Sequence, residues 1–394
     1  MSKIDELIKQ YCPDGVEYKK LIQSCDLLMG TSPKGNTISK ISSDGIEFHQ
    51  GKTFFTNSII GKSDKYTTAS IKNAMPGSII MSVRAPVGDC NITDRKISIG
   101  RGLCSIKGKC NISTKYIYYW IMSNIIKIKI MSNRSTFESI NTNDIKSIVI
   151  PIPPLEVQDE IVKVLDNFTE LEAELEAELE ARNKQYEYFR NKLLEFSNGS
   201  VGIPKIDKML SEMCPAGVVY GKIGDLIDYI QPTKYLVKST RYNNDYKIPV
   251  LTAGKSFLLG YTNETSGIFE AKNDPVMIFD DFTTSMHWVD FNFKVKSSAL
   301  KILKLKKVNC SFRYLYYVMK NMNYSIGNGT HSRHWISKYS QQSIPVPPLE
   351  VQNEIVQILD DFRKYVTSIS EGLPAEIEAR KKQYEYYRNK LLTF

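Results

Sequence analysis

Residues Pro151 to Phe168 read PIPPLEVQDEIVKVLDNF, and residues Pro345 to Phe362 read PVPPLEVQNEIVQILDDF. The two stretches are identical at 13 of 18 positions. A second pair of stretches, ARNKQYEYFRNKLLEF from Ala181 and ARKKQYEYYRNKLLTF from Ala379, is identical at 13 of 16 positions. The chain of 394 residues therefore contains an internal duplication with a period of about 200 residues.

Each copy of the duplicated stretch predicts a long helix. The paired prolines, such as Pro153 and Pro154, favour an extended entry that is followed at once by a helix start. Apolar side chains then recur at a spacing of three and four at Ile161, Val164, Leu165, Phe168, Leu171, Leu175 and Leu179. A helix from Glu156 to Phe196 would be roughly 60 Å long. Such a helix cannot bury its apolar stripe alone, and we expect the other copy to pair with it as an antiparallel coiled coil.

The first predicted helix contains a strict four-residue repeat, LEAELEAELEA, from Leu171 to Ala181. Each unit lengthens a helix by about 6 Å and rotates the leucine stripe by about 40°. The second copy lacks this repeat and carries Gly372 and Pro374 instead. Because glycine ends helices and proline opens them, we expect the second helix to be broken near Gly372.

The composition is that of an ordinary soluble globular protein. Hydrophobic residues make up 42% of the chain and charged residues 24%, which fits two or three domains. The seven cysteines include no CxxC pair, which favours a reduced, cytoplasmic protein. The polar start of the chain and the lack of an 18-residue apolar run predict neither a secretion signal nor a membrane span.

Charge alternates along the chain. Residues 1–153 hold 21 basic and 12 acidic residues, and residues 201–344 hold 19 and 11. Residues 154–200 hold 5 basic and 12 acidic residues, and residues 345–394 hold 7 and 8. Basic modules therefore alternate with acidic or neutral helices, and a polyanion such as nucleic acid would be attracted to the modules alone.

The two basic modules share a framework and differ in detail. Ile4–Tyr18 matches Ile206–Tyr220, and the tetrapeptide YIYY at Tyr116 matches YLYY at Tyr314, whereas the sequences between these anchors diverge. Short apolar runs separated by turn signals predict mainly β modules closed by one helix. The predicted strands are Ser78–Arg84, Ile248–Gly260, Val276–Asp280 and Ala299–Leu305, and the predicted helices are Tyr116–Ile130 and Phe312–Asn321.

These patterns predict an α+β fold with a pseudo-two-fold internal duplication. Two mixed, mainly β domains, residues 1–150 and 201–344, would be separated by the long-helix regions 151–200 and 345–394. Each domain would present a different surface on the same framework, as a protein that reads two different half-sites would need.

Motifs that suggest an enzyme lack the spacing or the residues that the corresponding catalytic sites require. The stretch GIEFHQGKT from Gly45 to Thr53 has five residues between its glycines, where a phosphate-binding loop needs four. Ile152 and Val346 precede the proline pairs, where an adenine methyltransferase requires Asn or Asp. We therefore expect neither a catalytic site nor a cofactor.

Histidines and aspartates of the second module suggest other sites. His331, His334 and Cys310 are a conceivable zinc set, but a closed zinc site needs a fourth ligand and the sequence offers none. The pair Asp280–Asp281 ends a predicted strand and resembles a metal-binding carboxylate pair, but an aspartate there could instead accept a hydrogen bond from the amino group of cytosine in a DNA groove. Solvated loop residues remain the alternative for each of these side chains.

The duplicated PxPPLEVQxEIVxxLDxF and ARxKQYEYxRNKLL stretches, together with the leucine and glutamate repeat, resemble the specificity subunit of type I restriction-modification systems. The resemblance covers the whole chain. The stretches GSIIMSVRAPVGDCNI from Gly77 and IGRGL from Ile99 are similar to one class of target-recognition domain in that family. PVLTAGKSFLLGYTNE from Pro249 and IFDDFTT from Ile278 are similar to another class.

The resemblance implies a noncatalytic subunit with two target-recognition domains. Each domain would read one half of a bipartite site in double-stranded DNA. The paired helices would act as a spacer and bind two methyltransferase subunits, with restriction subunits joining in some systems. The alternative is a coiled-coil assembly adaptor that binds acidic protein or lipid surfaces and has no DNA specificity.

Basic side chains in predicted loops and at strand ends are the expected DNA contacts, since arginine bonds guanine and other cations hold phosphates. They are Lys34, Arg84, Arg95 and Arg101 in the first module and Lys234, Lys255, His331, Arg333 and His334 in the second.

We expect the length of the repeat to set the spacer between the half-sites. Inserting one LEAE unit adds about 6 Å, the rise of about two base pairs, and about 40°, the twist of about one. The unspecified spacer should therefore lengthen by about one or two base pairs, with both half-sites unchanged. Sequencing of methylated sites tests this, and an altered half-site would contradict it.

Overall fold

The computed structural model describes residues 3–42, 45–70, 72–132, 139–196, 199–252, 257–306, 309–322, 324, 333–368 and 372–394. The chain forms two compact units, one made of Met1–Ala177 and Glu376–Phe394, the other of Glu178–Ala375. The helices of the described residues are α1 Lys3–Tyr11, α2 Leu21–Ser24, α3 Thr114–Ser123, α4 Ile125–Ser132, α5 Thr142–Ser147, α6 Leu155–Leu194, α7 Pro204–Met213, α8 Ile223–Leu226, α9 Phe312–Asn321, α10 Leu349–Thr367 and α11 Leu373–Leu391. None of them combines the length and the apolar character needed to cross a bilayer.

The strands of the first unit form three sheets among its described residues. They are β1 Glu17–Lys20, β2 Cys25–Met29, β3 Ile38–Ser39, β4 Ile46–His49, β5 Tyr66–Thr67, β6 Asn73–Ala74, β7 Ile79–Ser82, β8 Cys90–Ile92, β9 Ile97–Ile99, β10 Leu103–Gly108 and β11 Val149–Ile152. The sheets have the orders β1-β11, β2-β10-β7-β8 and β3-β5-β4-β9-β6. The four-stranded sheet is antiparallel throughout, whereas β4 and β9 pair in parallel.

The strands of the second unit follow the same plan. They are β12 Tyr220–Lys222, β13 Ile227–Ile230, β14 Ile248–Leu251, β15 Leu258–Thr262, β16 Val276–Asp280, β17 Met286–Val289, β18 Lys294–Val295, β19 Leu300–Leu305 and β20 Ser343–Pro345. The sheet orders β12-β20 and β13-β19-β16-β17 repeat those of the first unit, strand for strand. The third sheet, β15-β14-β18, differs in strand order from the β3-β5-β4-β9-β6 sheet of the first unit. The two units therefore share their two-stranded and four-stranded sheets and differ in this third sheet, called here the outer sheet.

Each four-stranded sheet is covered on both faces. Ile79 and Met81 pack in the same hydrophobic cluster as the tyrosines of α3, while Ile80, between them, packs in a second cluster with Ile97 and Ile99 of the five-stranded sheet. Alternate residues of a strand point to opposite faces, so a strand covered on both faces is apolar throughout. This burial explains the continuous apolar run that predicted a strand over Ser78–Arg84.

A buried glutamine ties the helix of each module to the long helix that follows it. The Gln158 side chain accepts a hydrogen bond from Ser113 N (2.8 Å) and donates one to Pro153 O (2.7 Å). The Gln352 side chain makes the same two bonds with Ser311 N (2.8 Å) and Pro347 O (2.7 Å). Both glutamines are fully buried. Ser113 and Ser311 in turn cap α3 and α9, so each amide fixes a helix start against PxPPLEVQ.

Nearer the surface, a second set of hydrogen bonds also joins the helix of each module to its long helix. Asp166 accepts hydrogen bonds from Tyr119 (2.7 Å) and Lys115 (2.6 Å), and Asp360 accepts from Tyr317 and Arg313. The duplication seen in the sequence is therefore a duplication of contacts as well.

The long helix pairs with a different partner in each unit. In the first unit Phe168 of α6 stacks on Tyr387 of α11 at 5.4 Å, and Lys381 lies 2.9 Å from Glu176 and 3.4 Å from Glu172. Residue numbers rise along α6 as they fall along α11, so this pair is antiparallel. In the second unit, Tyr186 of α6 packs on Phe362 of α10 at 5.8 Å between ring centroids.

The long-helix predictions are confirmed. A single helix runs from Leu155 to Leu194 through the leucine and glutamate repeat. The second copy is divided between α10, which ends at Thr367, and α11, which begins at Leu373, so the break expected near Gly372 is present. The apolar stripe is fully buried at Ile161 and Leu165, whereas Leu171, the first leucine of the four-residue repeat, is 45% exposed.

Two of the other predicted elements differ from the structure. The helix expected over Tyr116–Ile130 is interrupted at Asn124, whose side-chain amide bonds Trp120 O (3.0 Å) and so competes with helix continuation. The strand expected over Ile248–Gly260 is two strands, β14 and β15, which pair antiparallel and flank residues 253–256, outside the described residues.

We expect Gln158→Ala to destabilise the first unit and Gln352→Ala the second. Each change leaves a buried N–H and a buried carbonyl without a partner, which costs about 2 to 4 kcal/mol in total. Urea unfolding at pH 7 measures the loss. The control is Gln185→Ala, at an exposed glutamine of α6, for which a change within about 0.5 kcal/mol is expected. Equal effects of buried and exposed substitutions would contradict the anchoring role.

Candidate nucleic-acid interface

Arg84 and Arg101 lie together at one end of the four-stranded sheet of the first unit. Both are exposed, and both line a cleft of about 200 Å³. The cleft is also lined by Gln50, Gly51, Lys52, Ser82, Ala85 and Gly102. Two guanidinium groups and an ammonium group around one small cleft form a surface suited to an anionic or hydrogen-bond-accepting ligand.

The β7–β8 hairpin holds Arg84 at this position. Ser82 N donates to Asp89 O (2.8 Å) at the base of the loop, and the Ser82 hydroxyl donates to Pro86 O (2.9 Å) within it. The loop is therefore fixed from inside, and Arg84 extends outward from a buried strand.

Close backbone packing requires the glycines on either side of Arg101. A Cβ atom on Gly102 would lie 2.5 Å from Gln50 O, and one on Gly100 would lie 3.0 Å from Gln50 Cα. Glycine is the residue that permits such an approach between two backbones. The sequence IGRGL is thus explained by a turn pressed against the segment after β4, with Arg101 as its exposed side chain.

Lysines complete the basic rim of the first unit. Lys34 is exposed in the loop after β2, and the Arg101 backbone N–H bonds Ser32 Oγ (3.3 Å) in the same loop. Lys52 was missed by the sequence reasoning, and its ammonium group lies 2.5 Å from Asp89. Its signal was the stretch GIEFHQGKT, which lacks phosphate-loop spacing but carries a lysine directly after Gly51.

Arg95 differs from the other predicted contacts of the first unit. Its guanidinium group donates two parallel hydrogen bonds of 2.7 Å to Glu47, and further bonds to Ile60 O, Gly61 O and Asp94. This geometry joins strand β4 and the segment at Ile60 and Gly61 to the loop between β8 and β9, and it favours a structural role over a base contact.

Glu47 is held ionised by these bonds. Burial disfavours its charged form, but hydrogen bonds from Arg95, from Ser63 N and from His49 outweigh burial and lower the pKa of Glu47 to about 2. Burial lowers the pKa of His49, so the imidazole that bonds Glu47 is neutral near pH 7.

The predicted DNA contacts of the second unit also divide into exposed side chains and a buried one. Lys234, in the 3₁₀ turn Pro232–Tyr235, and Arg333 are exposed. His334 is buried, with its backbone N–H on Asp281 O (2.8 Å) and its ring 3.2 Å from the Tyr324 hydroxyl, which favours a packing role. Lys255 and His331 lie outside the described residues.

Asp280 and Asp281 are buried structural acceptors. Asp280 Oδ1 accepts from Phe282 N (2.9 Å), and Asp281 Oδ1 accepts from Trp335 N (2.8 Å). The second oxygen of Asp281 lies 3.4 Å from the ammonium group of Lys301, which is also buried. Both carboxylates are buried and bonded within the protein, which favours a structural role over a base contact.

No group of three or more His, Cys, Asp or Glu side chains is placed to hold a metal ion within the part of the chain that the structure describes. Of the zinc set suggested by spacing, Cys310 lies 3.3 Å from the Gln352 amide oxygen and His334 contacts Tyr324.

Comparison with known proteins gives one consistent result. The family described as type I restriction modification DNA specificity domain matches residues 13–181 and 215–379. The EcoR124I/EcoR124II specificity subunit of Escherichia coli is 51% identical over 180 residues, which is 44% of this chain and 44% of that subunit. This alignment therefore spans less than half of the relative's length. The putative specificity subunit S.HindORF215P of Haemophilus influenzae is 33% identical over 311 residues, covering 73% of this chain and 74% of the relative.

Solved structures share the fold. The crystal structure of a type I restriction-modification S subunit from M. genitalium superposes with a TM-score of 0.59 at 16% identity, covering 96% of this chain and 97% of that chain. A chain from a structure described as the basis of complex assembly and conformational transition of the type I R-M system superposes with the same TM-score at 15% identity, covering 96% of this chain and 98% of that chain.

We expect Arg95→Met to lower the free energy of unfolding by about 3 kcal/mol at pH 7, because Glu47 would be left half-buried without its partner. A carboxylate with a lowered folded pKa adds stability above its unfolded pKa, and that stability is lost as the pH falls through the folded pKa. The difference between the parent protein and the variant should therefore be largest above about pH 5 and shrink towards pH 2. Urea unfolding between pH 3 and pH 7 measures it, and a difference independent of pH would contradict the ion pair.

Proposed function

The chain belongs to the type I restriction-modification DNA specificity family, and on that premise we propose that its two sheet-bearing units each read one half of a bipartite DNA site. Residues 1–150 and 201–344 act as the two target-recognition domains, and residues 151–200 and 345–394 act as the long-helix spacer. The protein has no catalysis of its own in this proposal. It selects the site, in the cytoplasm, for the subunits that act on the DNA.

The observation that carries this proposal is the cleft with Arg84 and Arg101. Guanine presents two acceptors, O6 and N7, in the major groove, and one arginine can bond both. The backbone that carries Arg84 is already fixed at the end of a buried strand. Binding DNA therefore requires little further ordering of this loop. Lys34 and Lys52 on the same rim supply charge for the flanking phosphates.

The charge distribution supports the same proposal. The recognition modules carry net charges of +9 over residues 1–153 and +8 over residues 201–344, whereas the helix regions carry −7 over residues 154–200 and −1 over residues 345–394. Duplex DNA is therefore attracted to the modules and not to the helices. The helices remain available for protein partners.

The proposed protein partners are two methyltransferase subunits, joined by restriction subunits in systems that cleave DNA. The duplicated sequences of α6, α10 and α11 support two copies of one partner, since a repeated surface binds the same protein twice. The nearly identical ARxKQYEYxRNKLL stretches are the surfaces that repeat most faithfully.

We expect Arg84→Ala, in a complex reconstituted with its methyltransferase, to weaken binding to the cognate site by about 1 to 3 kcal/mol. One position of one half-site should become degenerate among methylated sequences. Arg84→Lys should retain most nonspecific affinity and still relax that position, because lysine keeps the charge and loses the paired hydrogen bonds.

The control is Lys146→Ala, which removes an exposed charge of α5 and should leave the consensus unchanged. Unchanged affinity and consensus in both Arg84→Ala and Arg101→Ala would contradict the assignment of the cleft. Binding without any two-part consensus, or without dependence on salt, would instead favour the coiled-coil adaptor.

A further inference from the structure

The two four-stranded sheets correspond residue by residue, although their sequences do not align there. Strand pairing defines the correspondence without reference to side chains. The matching pairs, with the first unit given first, are Ser82·Leu103 with Asp280·Leu300 and Met81·Cys90 with Phe279·Met286. Positions in the loops can therefore be compared by counting from these pairs.

The loop of the first hairpin is closed by two backbone hydrogen bonds. Ser82 N donates to Asp89 O at 2.8 Å, and Gly88 N donates to Ser82 O at 2.9 Å. Gly88 has a φ of 98°, in the left-handed region that favours glycine.

The loop of the second hairpin is closed in the same way. Asp280 N donates to Ser285 O at 2.9 Å, and Thr284 N donates to Asp280 O at 2.9 Å. Thr284 thus occupies the position of the glycine, and its φ of 57° is also in the left-handed region. A β-branched residue rarely adopts this conformation, and such residues concentrate at functional sites.

Counting from the paired strands locates the counterparts of the two cleft arginines. Arg84 is the second residue after Ser82, and the second residue after Asp280 is Phe282, followed by exposed Thr283. Arg101 is the second residue before Leu103, and the second residue before Leu300 is exposed Ser298. Ser298 therefore has the position of Arg101, whereas Phe282 has the position of Arg84, and Thr283 next to it is the exposed side chain of a loop that is two residues shorter.

Contacts within the second unit bring these loops to the same rim. The Gln231 side chain, at the end of β13, donates to Ser298 O at 3.4 Å and accepts from Lys301 Nζ at 3.4 Å. Lys301 in turn lies beside Asp281, the residue that begins the hairpin loop. The loop after β13 also carries exposed Lys234, as the loop after β2 carries Lys34.

We propose that Thr283 and Ser298 read bases of the second half-site from the loops that correspond to the Arg84 and Arg101 loops of the first unit. The proposal rests on the proposed function and adds the residues that determine the second specificity. A hydroxyl group donates and accepts, so it can bond a purine or a pyrimidine edge. Lys234 and Lys296 are exposed, the first in the loop after β13 and the second two residues before Ser298, and in this proposal they hold phosphates.

The two units then prefer different bases although they share the same four-stranded sheet. Arginine selects guanine, whereas a hydroxyl group contributes a single, less selective hydrogen bond. The half-site read by the first unit should hold a guanine contact that the second lacks. The framework needs no change for this difference, because both residues lie beyond the last paired positions of the sheet.

The test uses Thr283→Ala, Thr283→Ser and Thr283→Val in the full complex with methyltransferase, followed by sequencing of methylated sites. Thr283→Ala should reduce the preference at one position of the second half-site by about 2- to 12-fold and leave the first half-site unchanged. Thr283→Ser keeps the hydroxyl group and should keep the preference. Thr283→Val keeps the shape, loses the hydroxyl group and should behave like Thr283→Ala.

Ser211→Ala removes an exposed hydroxyl group of α7 and serves as the matched control. A second half-site that is unchanged in Thr283→Ala, or a loss that is uniform across sequences, would overturn the assignment while a two-part consensus in the parent complex still supports the proposed function. Absence of any two-part consensus in the parent complex would overturn both. Arg84→Ala in the same assay should change only the first half-site.

Discussion

The buried amide of Gln158, repeated at Gln352, is the contact on which the rest of the structure depends. An amide offers both a donor and acceptors, and here it bonds the start of the module helix on one side and the proline carbonyl on the other. An apolar side chain could fill the same space but would leave two buried backbone groups unpaired. The long helix is thus joined to each module by a hydrogen-bonded contact with a single geometry, and the flanking prolines set the direction in which it leaves.

Because this contact is duplicated, the two modules can differ elsewhere without loss of the frame. The four-stranded sheets keep their order and pairing, while the outer sheets differ, with five strands in one unit and three in the other among the residues that the structure describes. The loops at the sheet ends lie beyond the paired strands and carry exposed side chains, so their substitutions are not restricted by the core. Substitutions in these loops can therefore change the ligand that a module binds without changing how the module packs on the long helix.

Much of the fold could be predicted because its signals are local or repeated. Helical periodicity over Leu155–Leu194, the glycine and proline near position 372 and the apolar run at Ile79–Ser82 each depend on neighbours in the chain. The partners of individual charged residues could not be predicted in this way. Arg95 and Glu47 are 48 positions apart, and the backbone of His334 bonds Asp281, 53 positions before it. Only the tertiary structure shows that both predicted contacts pack against the protein itself.

Net charge does not distinguish buried, paired cations from exposed ones. Arg95, Lys294 and Lys301 are wholly or largely buried beside carboxylates, and each compensates a charge within the module. Arg84 and Arg101 are exposed on loops that backbone hydrogen bonds and close glycine packing hold in place. A paired, buried cation contributes little field outside the protein, whereas an exposed cation on a fixed loop contributes both field and geometry. In the proposed function, the basic excess of each module therefore attracts DNA in general, and the exposed side chains at the sheet ends discriminate between sequences.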